Sequence, residues 1–107
     1  MFPPMAESMP RIDPDRLVHE PGRLSILVIL NAVEEADFLF LMDQTGLTKG
    51  NLSSHTAKLE GAGYVEIEKA FVGKIPRTVY RLTPAGADAL QLYREHMTGV
   101  LGSLGKT

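Results

Sequence analysis

The stretch Asp37–Leu82, DFLFLMDQTGLTKGNLSSHTAKLEGAGYVEIEKAFVGKIPRTVYRL, decides the fold. It reads as helix, tight turn, helix, strand, basic loop, strand. Phe38 to Gln44 predicts a helix, and Gly46 supplies a left-handed residue just past its end. Thr48 is a capping residue for the next helix, which runs to about Gly61, with Gly63 ending it. On that helix Leu52, Thr56 and Leu59 recur at i, i+4 and i+7 and share one face, with His55 beside them. Tyr64 to Phe71 alternates, Val65 and Ile67 against Glu66 and Glu68, as a half-buried strand does. Thr78 to Leu82 is its partner. The intervening Val72–Arg77 reads as a loop too long for a two-residue hairpin turn, and it carries Lys74 and Arg77 beside Gly73 and Pro76.

Working outward, residues 1–12 read as a disordered tail. Asp13-Pro14 marks a helix start, Asp as the cap and Pro at the first helical position. That short helix is expected to end before Pro21-Gly22. Arg23 to about Glu34 predicts a helix whose apolar residues, Leu24, Ile26–Leu30, Ala32 and Val33, surround most of its axis. Such a helix must be covered on two sides, one by its own core and the other by a partner chain. Ala36 to Phe38 suggests a short strand. After the hairpin, Thr83 caps a last helix with Pro84 at its first position. Leu90, Tyr93, Met97, Val100 and Leu104 follow at spacings of 3, 4, 3 and 4, the pattern of an interhelical seam. A domain over residues 13–102 with a tail at 103–107 is the expected organisation. Leu90, Tyr93, Met97 and Val100 of the seam, together with Leu24 and Val28, are the expected dimer interface.

The composition excludes several chemistries. The 107-residue chain has no cysteine, which removes disulfides, thiolate metal sites and thiol redox chemistry. Its beginning, MFPPMAESMP, lacks the basic and apolar regions of a signal peptide. The longest apolar run, Ile26–Leu30, is too short to span a membrane. A cytoplasmic protein is expected.

The net charge of −2 hides a polarity along the chain. Residues 1–46 hold three Arg against eight acids, whereas residues 47–81 hold six Lys/Arg against three acids. The positive excess falls on the second helix and the hairpin, where a polyanion would lie. If Leu52, Thr56 and Leu59 face inward, the opposite face presents Lys49, Asn51, Ser53, Ser54 and Lys58, with Thr48 at its start. Lys donates to guanine, Asn pairs with adenine through two bonds, and Ser adapts to several partners. Lys74 and Arg77 in the loop suit phosphates or a narrow minor groove. Arg81, outward on the strand, pairs with Glu66 or reaches a phosphate.

Other sites find little support. His19, His55 and His96 lack metal-ligand spacing, so neither metal nor cofactor is expected. His55 reads as a half-buried helix residue bonded to backbone. Phe38, Tyr64, Phe71 and Tyr80 read as core. No phosphate-cradling loop, nucleophile elbow or paired acids on an apolar face supports catalysis.

The chain resembles the winged-helix transcriptional regulators, MarR-like and more broadly ArsR-like. The resemblance spans roughly residues 13–97. It rests on Pro21–Leu27 in the first core helix, Gly46–His55 entering the second helix of the pair, Leu59–Val65 at its exit, and above all the hairpin Phe71–Thr83 followed by Gly86. It implies an α+β, mostly helical fold: a winged helix-turn-helix with a small antiparallel hairpin wing and flanking dimerisation helices. It also implies a homodimer on a pseudo-palindromic operator in double-stranded DNA, with Thr48–Gly61 in the major groove, and in many members a small-molecule effector. The length suggests a repressor, with no room for an activation domain. The alternative is a winged helix that docks on another protein, which should expose apolar anchors on the recognition face.

Overall fold

Pro21 opens a helix rather than closing an earlier one. The computed structural model describes residues 12–105, so nearly all of the expected N-terminal tail and the last two residues of the expected C-terminal tail lie outside it. Helix α1 is Pro21–Ala32, with Pro in its first turn and the Glu20 carboxylate accepting from the Arg23 amide at 2.7 Å. A proline suits that position because its missing N–H would have no helical partner. The segment before it is a turn at residues 16–18, not the expected helix. Asp15 rather than Asp13 initiates it: its side chain accepts from Leu17 N at 2.9 Å and its carbonyl from His19 N at 2.8 Å. Pro21 disfavours helical backbone at Glu20, which is extended, so the turn cannot propagate.

The chain continues through β1 (Ala36–Asp37), α2 (Phe38–Thr45), α3 (Lys49–Gly61), β2 (Val65–Val72), β3 (Ile75–Leu82) and α4 (Pro84–Gly102), and ends in a 3₁₀ turn at Ser103–Gly105. The turn occupies the start of the expected tail at 103–107. The antiparallel sheet has the order β1-β3-β2, with Ile67 opposite Tyr80 and Lys69 opposite Thr78. Local chemistry sets the boundaries. Asp37 caps α2 by accepting from Phe40 N at 2.8 Å, and Gly46 follows at φ 70°. Thr48 caps α3 by accepting from Asn51 N at 3.2 Å. Thr83 caps α4, accepting from Gly86 N at 3.0 Å and donating to Gly63 O at 2.5 Å.

The core is built around α1, which packs on α2, α3, α4 and β3. Ile26 and Leu27 are fully buried there together with Leu41, Leu52, Leu59 and Val65. This encirclement explains the helix's apolar circumference, yet Val28 remains half exposed. Thr56, the polar member of α3's inner face, is buried but satisfied: its hydroxyl donates to Leu52 O at 2.9 Å and Ser53 O at 3.2 Å.

Residues 13–19 are laced onto α4 and the start of β2. The Asp13 amide donates to His96 Nε2 at 3.2 Å, and His19 Nδ1 and the Tyr93 hydroxyl lie 2.8 Å apart. Tyr64 donates its hydroxyl to Asp15 at 2.5 Å, and this bond, more than burial, raises the phenol above its ordinary pKa. Among the described residues no helix is long and apolar enough to cross a membrane.

Candidate nucleic-acid interface

Helix α3 presents two chemically distinct faces. Leu52, Thr56 and Leu59 point into the core, and Lys49, Asn51, Ser53, Ser54 and Lys58 are exposed. Thr48, at the cap, is exposed as well. The inward set fixes the roll of the helix, so the outer set is presented as a unit, its first turn open to solvent.

His55 anchors this helix to α1, though not through backbone as expected. Its Nδ1 lies 3.1 Å from Arg23 Nη1, and its Nε2 is 3.7 Å from the Glu20 carboxylate. Arg23 also donates to Leu17 O at 2.7 Å. Gly22 makes room for the imidazole, since a Cβ there would stand 2.9 Å from His55 Nε2. The cluster thus ties the Asp15 turn, the start of α1 and the middle of α3 into one body.

The hairpin differs from the expected long loop. Strand pairing runs to Val72 opposite Ile75, leaving only Gly73 and Lys74 as the turn. Gly73 has φ 65° and Lys74 does not share the positive sign. That is the pattern of a type II′ turn, whose twist matches the flanking strands. Arg77 and Pro76 are therefore strand residues, and Lys74 alone occupies the apex with Gly73. Phe71, expected in the core, is 72% exposed. It lies beyond the reach of α3, whereas Phe38 and Tyr64 are half buried and Tyr80 is buried.

Tertiary structure also redistributes the charge. Arg81 is held by Glu35 at 2.8 Å, Glu68 at 3.6 Å and Glu66 at 3.9 Å. Arg77 lies 3.6 Å from Asp37. Two of these carboxylates, Glu35 and Asp37, come from outside the positive segment. Lys49, Lys58, Lys69 and Lys74 have no ion pair among the described residues, and they carry the positive face. Lys69 is not among the residues that the helix and loop patterns single out. It stands on the inner face of β2, two residues past Ile67, and lines a groove with Ser53, Ala57 and Thr78. The signal was a cation in the inward phase of an otherwise apolar strand face.

A second surface lies on the other side of α1. Leu24, Val28, Leu90, Tyr93 and Met97, five of the six expected interface residues, line one groove of about 420 Å³ between α1 and α4. Val100 is not among its lining residues, and Leu101, 55% exposed, is.

A helix pair with a docked second helix, followed by a twisted two-stranded wing, defines a winged helix. The model of the winged helix DNA-binding domain matches residues 23–101, and the chain belongs to that family. The family and fold are those of DNA-binding transcriptional regulators. The uncharacterized protein MJ0432 of Methanocaldococcus jannaschii is 35% identical over 71 residues, covering 66% of this chain and 77% of that one. The structure of a transcriptional regulator homologue protein from Pyrococcus horikoshii OT3 aligns with a TM-score of 0.79 at 30% identity, covering 84% of this chain and 89% of that one. A MarR family transcriptional regulator from Silicibacter pomeroyi shares the fold at a TM-score of 0.64 and 23% identity, over 85% of this chain and 60% of that one.

Proposed function

We propose that this protein is a sequence-specific regulator that binds duplex DNA as a homodimer on a pseudo-palindromic operator and represses by occupying it. The observation that carries the reading is the outer face of α3, where Thr48, Lys49, Asn51, Ser53, Ser54 and Lys58 are exposed together above a buried apolar face. Their donors and acceptors match base edges and phosphates in a major groove. Lys74 and Arg77 extend the contact from the hairpin. The Arg77–Asp37 pair is half exposed and so contributes about 1 kcal/mol or less, which lets the guanidinium move to a phosphate. The working unit is the domain over residues 13–102, acting in the cytoplasm.

The dimer reading rests on the apolar groove between α1 and α4. Leu24, Val28, Leu90, Tyr93 and Met97 line it, and a second copy's α4 would cover it, with Val100 at the margin. Two copies also double the four unpaired lysines. That matters because each neutralised phosphate steepens the salt dependence by only about 0.9 in log–log slope.

Selection of binding sites from random duplex DNA tests the reading. Recovery of a two-fold symmetric site, with a light-scattering mass twice 11.7 kDa, is expected. Recovery of no sequence together with a monomer mass would refute it. The rival, docking on a protein, takes support from the apolar residues at the hairpin tip but none from α3, whose exposed face is polar.

A further inference from the structure

The tip of the hairpin is apolar where a phosphate-binding wing would be polar. Phe71, Val72 and Ile75 are 72%, 59% and 70% exposed. Phe71 lies opposite Pro76 and Val72 opposite Ile75, so apolar side chains stand on both faces of the sheet at its end. Phosphate oxygens offer such residues nothing, and leaving them wet costs about 25 cal/mol for each Å². The same nine residues, Lys69 to Arg77, contain three cations and no acid. An apolar cap ringed by positive charge matches a surface that is apolar within and anionic at its rims. A DNA minor groove, with sugar walls below two rows of phosphates, has that chemistry.

The tip is also continuous with the α3 face. Lys69 and Thr78 line the groove beside Ser53 and Ala57, and Phe71 with Pro76 is the next inward-facing pair along the hairpin. From Lys69 to the turn at Gly73 the strand advances roughly 13 Å. That is comparable with the half-turn of about 17 Å separating a major groove from the adjoining minor groove. Width then decides the mode of entry. The two strands lie about 4.8 Å apart before side chains are added, and the B-form minor groove is only about 6 Å wide. Once the side chains at Phe71, Val72 and Ile75 are added, the tip outgrows that width, so its entry favours a groove that opens.

We propose that the hairpin tip enters the minor groove flanking the α3 contact as an apolar wedge, with Phe71 and Ile75 opening a base step and bending the duplex while Lys74 holds a phosphate at the rim. This deepens, and rests on, the DNA-binding reading above. Pyrimidine–purine steps unstack most readily, so the wedge generates a flanking preference without reading any base by hydrogen bonds.

The test uses the full-length protein and a duplex carrying the selected site, dye-labelled at both ends, with 2-aminopurine in the flanking step. Wild type is expected to shorten the end-to-end distance and brighten the 2-aminopurine. The double variant Phe71→Ala/Ile75→Ala should lose both signals and roughly tenfold or more in affinity, with its salt slope unchanged. Lys74→Ala should keep the bend and lower the slope by about 0.9. Both tip residues are exposed, and matching thermal melts establish that the variants fold. If the double variant binds and bends the site as wild type does, or wild type binds without bending, the wedge is wrong and the patch serves a protein partner. If wild type selects no duplex site at all, the DNA-binding reading itself has failed.

Discussion

Gly86, in the first turn of α4, holds that helix against Tyr64 and the end of β3, and its replacement by alanine gives the sharpest test of the packing. A Cβ there would stand 2.1 Å from the Tyr64 carbonyl oxygen and 2.8 Å from Leu82 Cδ1. Leu82 can rotate, but the carbonyl cannot, because it accepts from the Thr83 amide at 3.1 Å. Reaching van der Waals distance requires the first turn of α4 to part from β2 by more than 1 Å. That movement strains the Thr83 hydroxyl bond to Gly63 O and its bond from Gly86 N. Overpacking of this kind costs about 1–3 kcal/mol, and each weakened bond about 1 kcal/mol more. The better helix propensity of alanine returns about 1 kcal/mol. The clash wins, and Gly86→Ala should lose about 2–4 kcal/mol, a melting temperature lower by roughly 10–30 °C. Thermal and urea unfolding followed by circular dichroism, at fixed protein concentration because dimerisation shifts apparent stability, reads the loss. Gly61→Ala is the control, since nothing lies within 4 Å of its Cβ position and its φ is not positive. It should gain about 0.4–1 kcal/mol. A Gly86→Ala protein as stable as wild type, with the control behaving as stated, would refute the close approach of α4 to Tyr64.

Asn51→Ala should lose about 1–3 kcal/mol of discrimination at one base pair with its salt slope little changed, measured by titration against the selected site and single-base variants. Asp37→Asn should keep the cap on α2, because Asn and Asp cap about equally well, while freeing Arg77. Its DNA affinity should rise and its salt slope steepen, and weaker binding at unchanged stability would count against Arg77 as a phosphate ligand. The Tyr64 phenol is raised above its usual value of 10.0 by its bond to Asp15. Below that pH it is protonated both folded and unfolded, so its contribution is intact. As pH rises from 10.0 toward the folded value, the unfolded chain releases its proton first and stability falls. Urea midpoints at pH 9 and above pH 10 should show this loss, and Tyr64→Phe should flatten it.

The sequence by itself determined the element order from α1 onward and the roll of α3. Thr48, Thr83, Gly46 and the spacing of Leu52, Thr56 and Leu59 act over one or two turns of backbone, and a cap or a left-handed glycine does the same thing in any fold. The exposed set on α3 followed from that roll alone. Local signals misled at the N-terminal side. Asp13-Pro14 reads as a helix start and Pro21-Gly22 as that helix's end, yet Pro21 opens α1, because it forces Glu20 extended and the seven residues before it cannot hold a helix alone. Only the tertiary structure decided the partners of the charged groups. Arg77 meets Asp37 and Arg81 meets Glu35 because β1 pairs with β3, and His55 meets Arg23 because α3 packs on α1. No local pattern encodes an ion pair between distant segments, so the sequence placed the positive excess on α3 and the hairpin but not which of its cations stay unpaired. The turn was hidden for a related reason. Phe71, Val72 and Ile75 look like residues that should leave the solvent, and a loop around Gly73 would have let them fold inward. Pairing along the whole length of β2 and β3 instead carries them past the edge of α3, where no part of the described chain reaches to cover them.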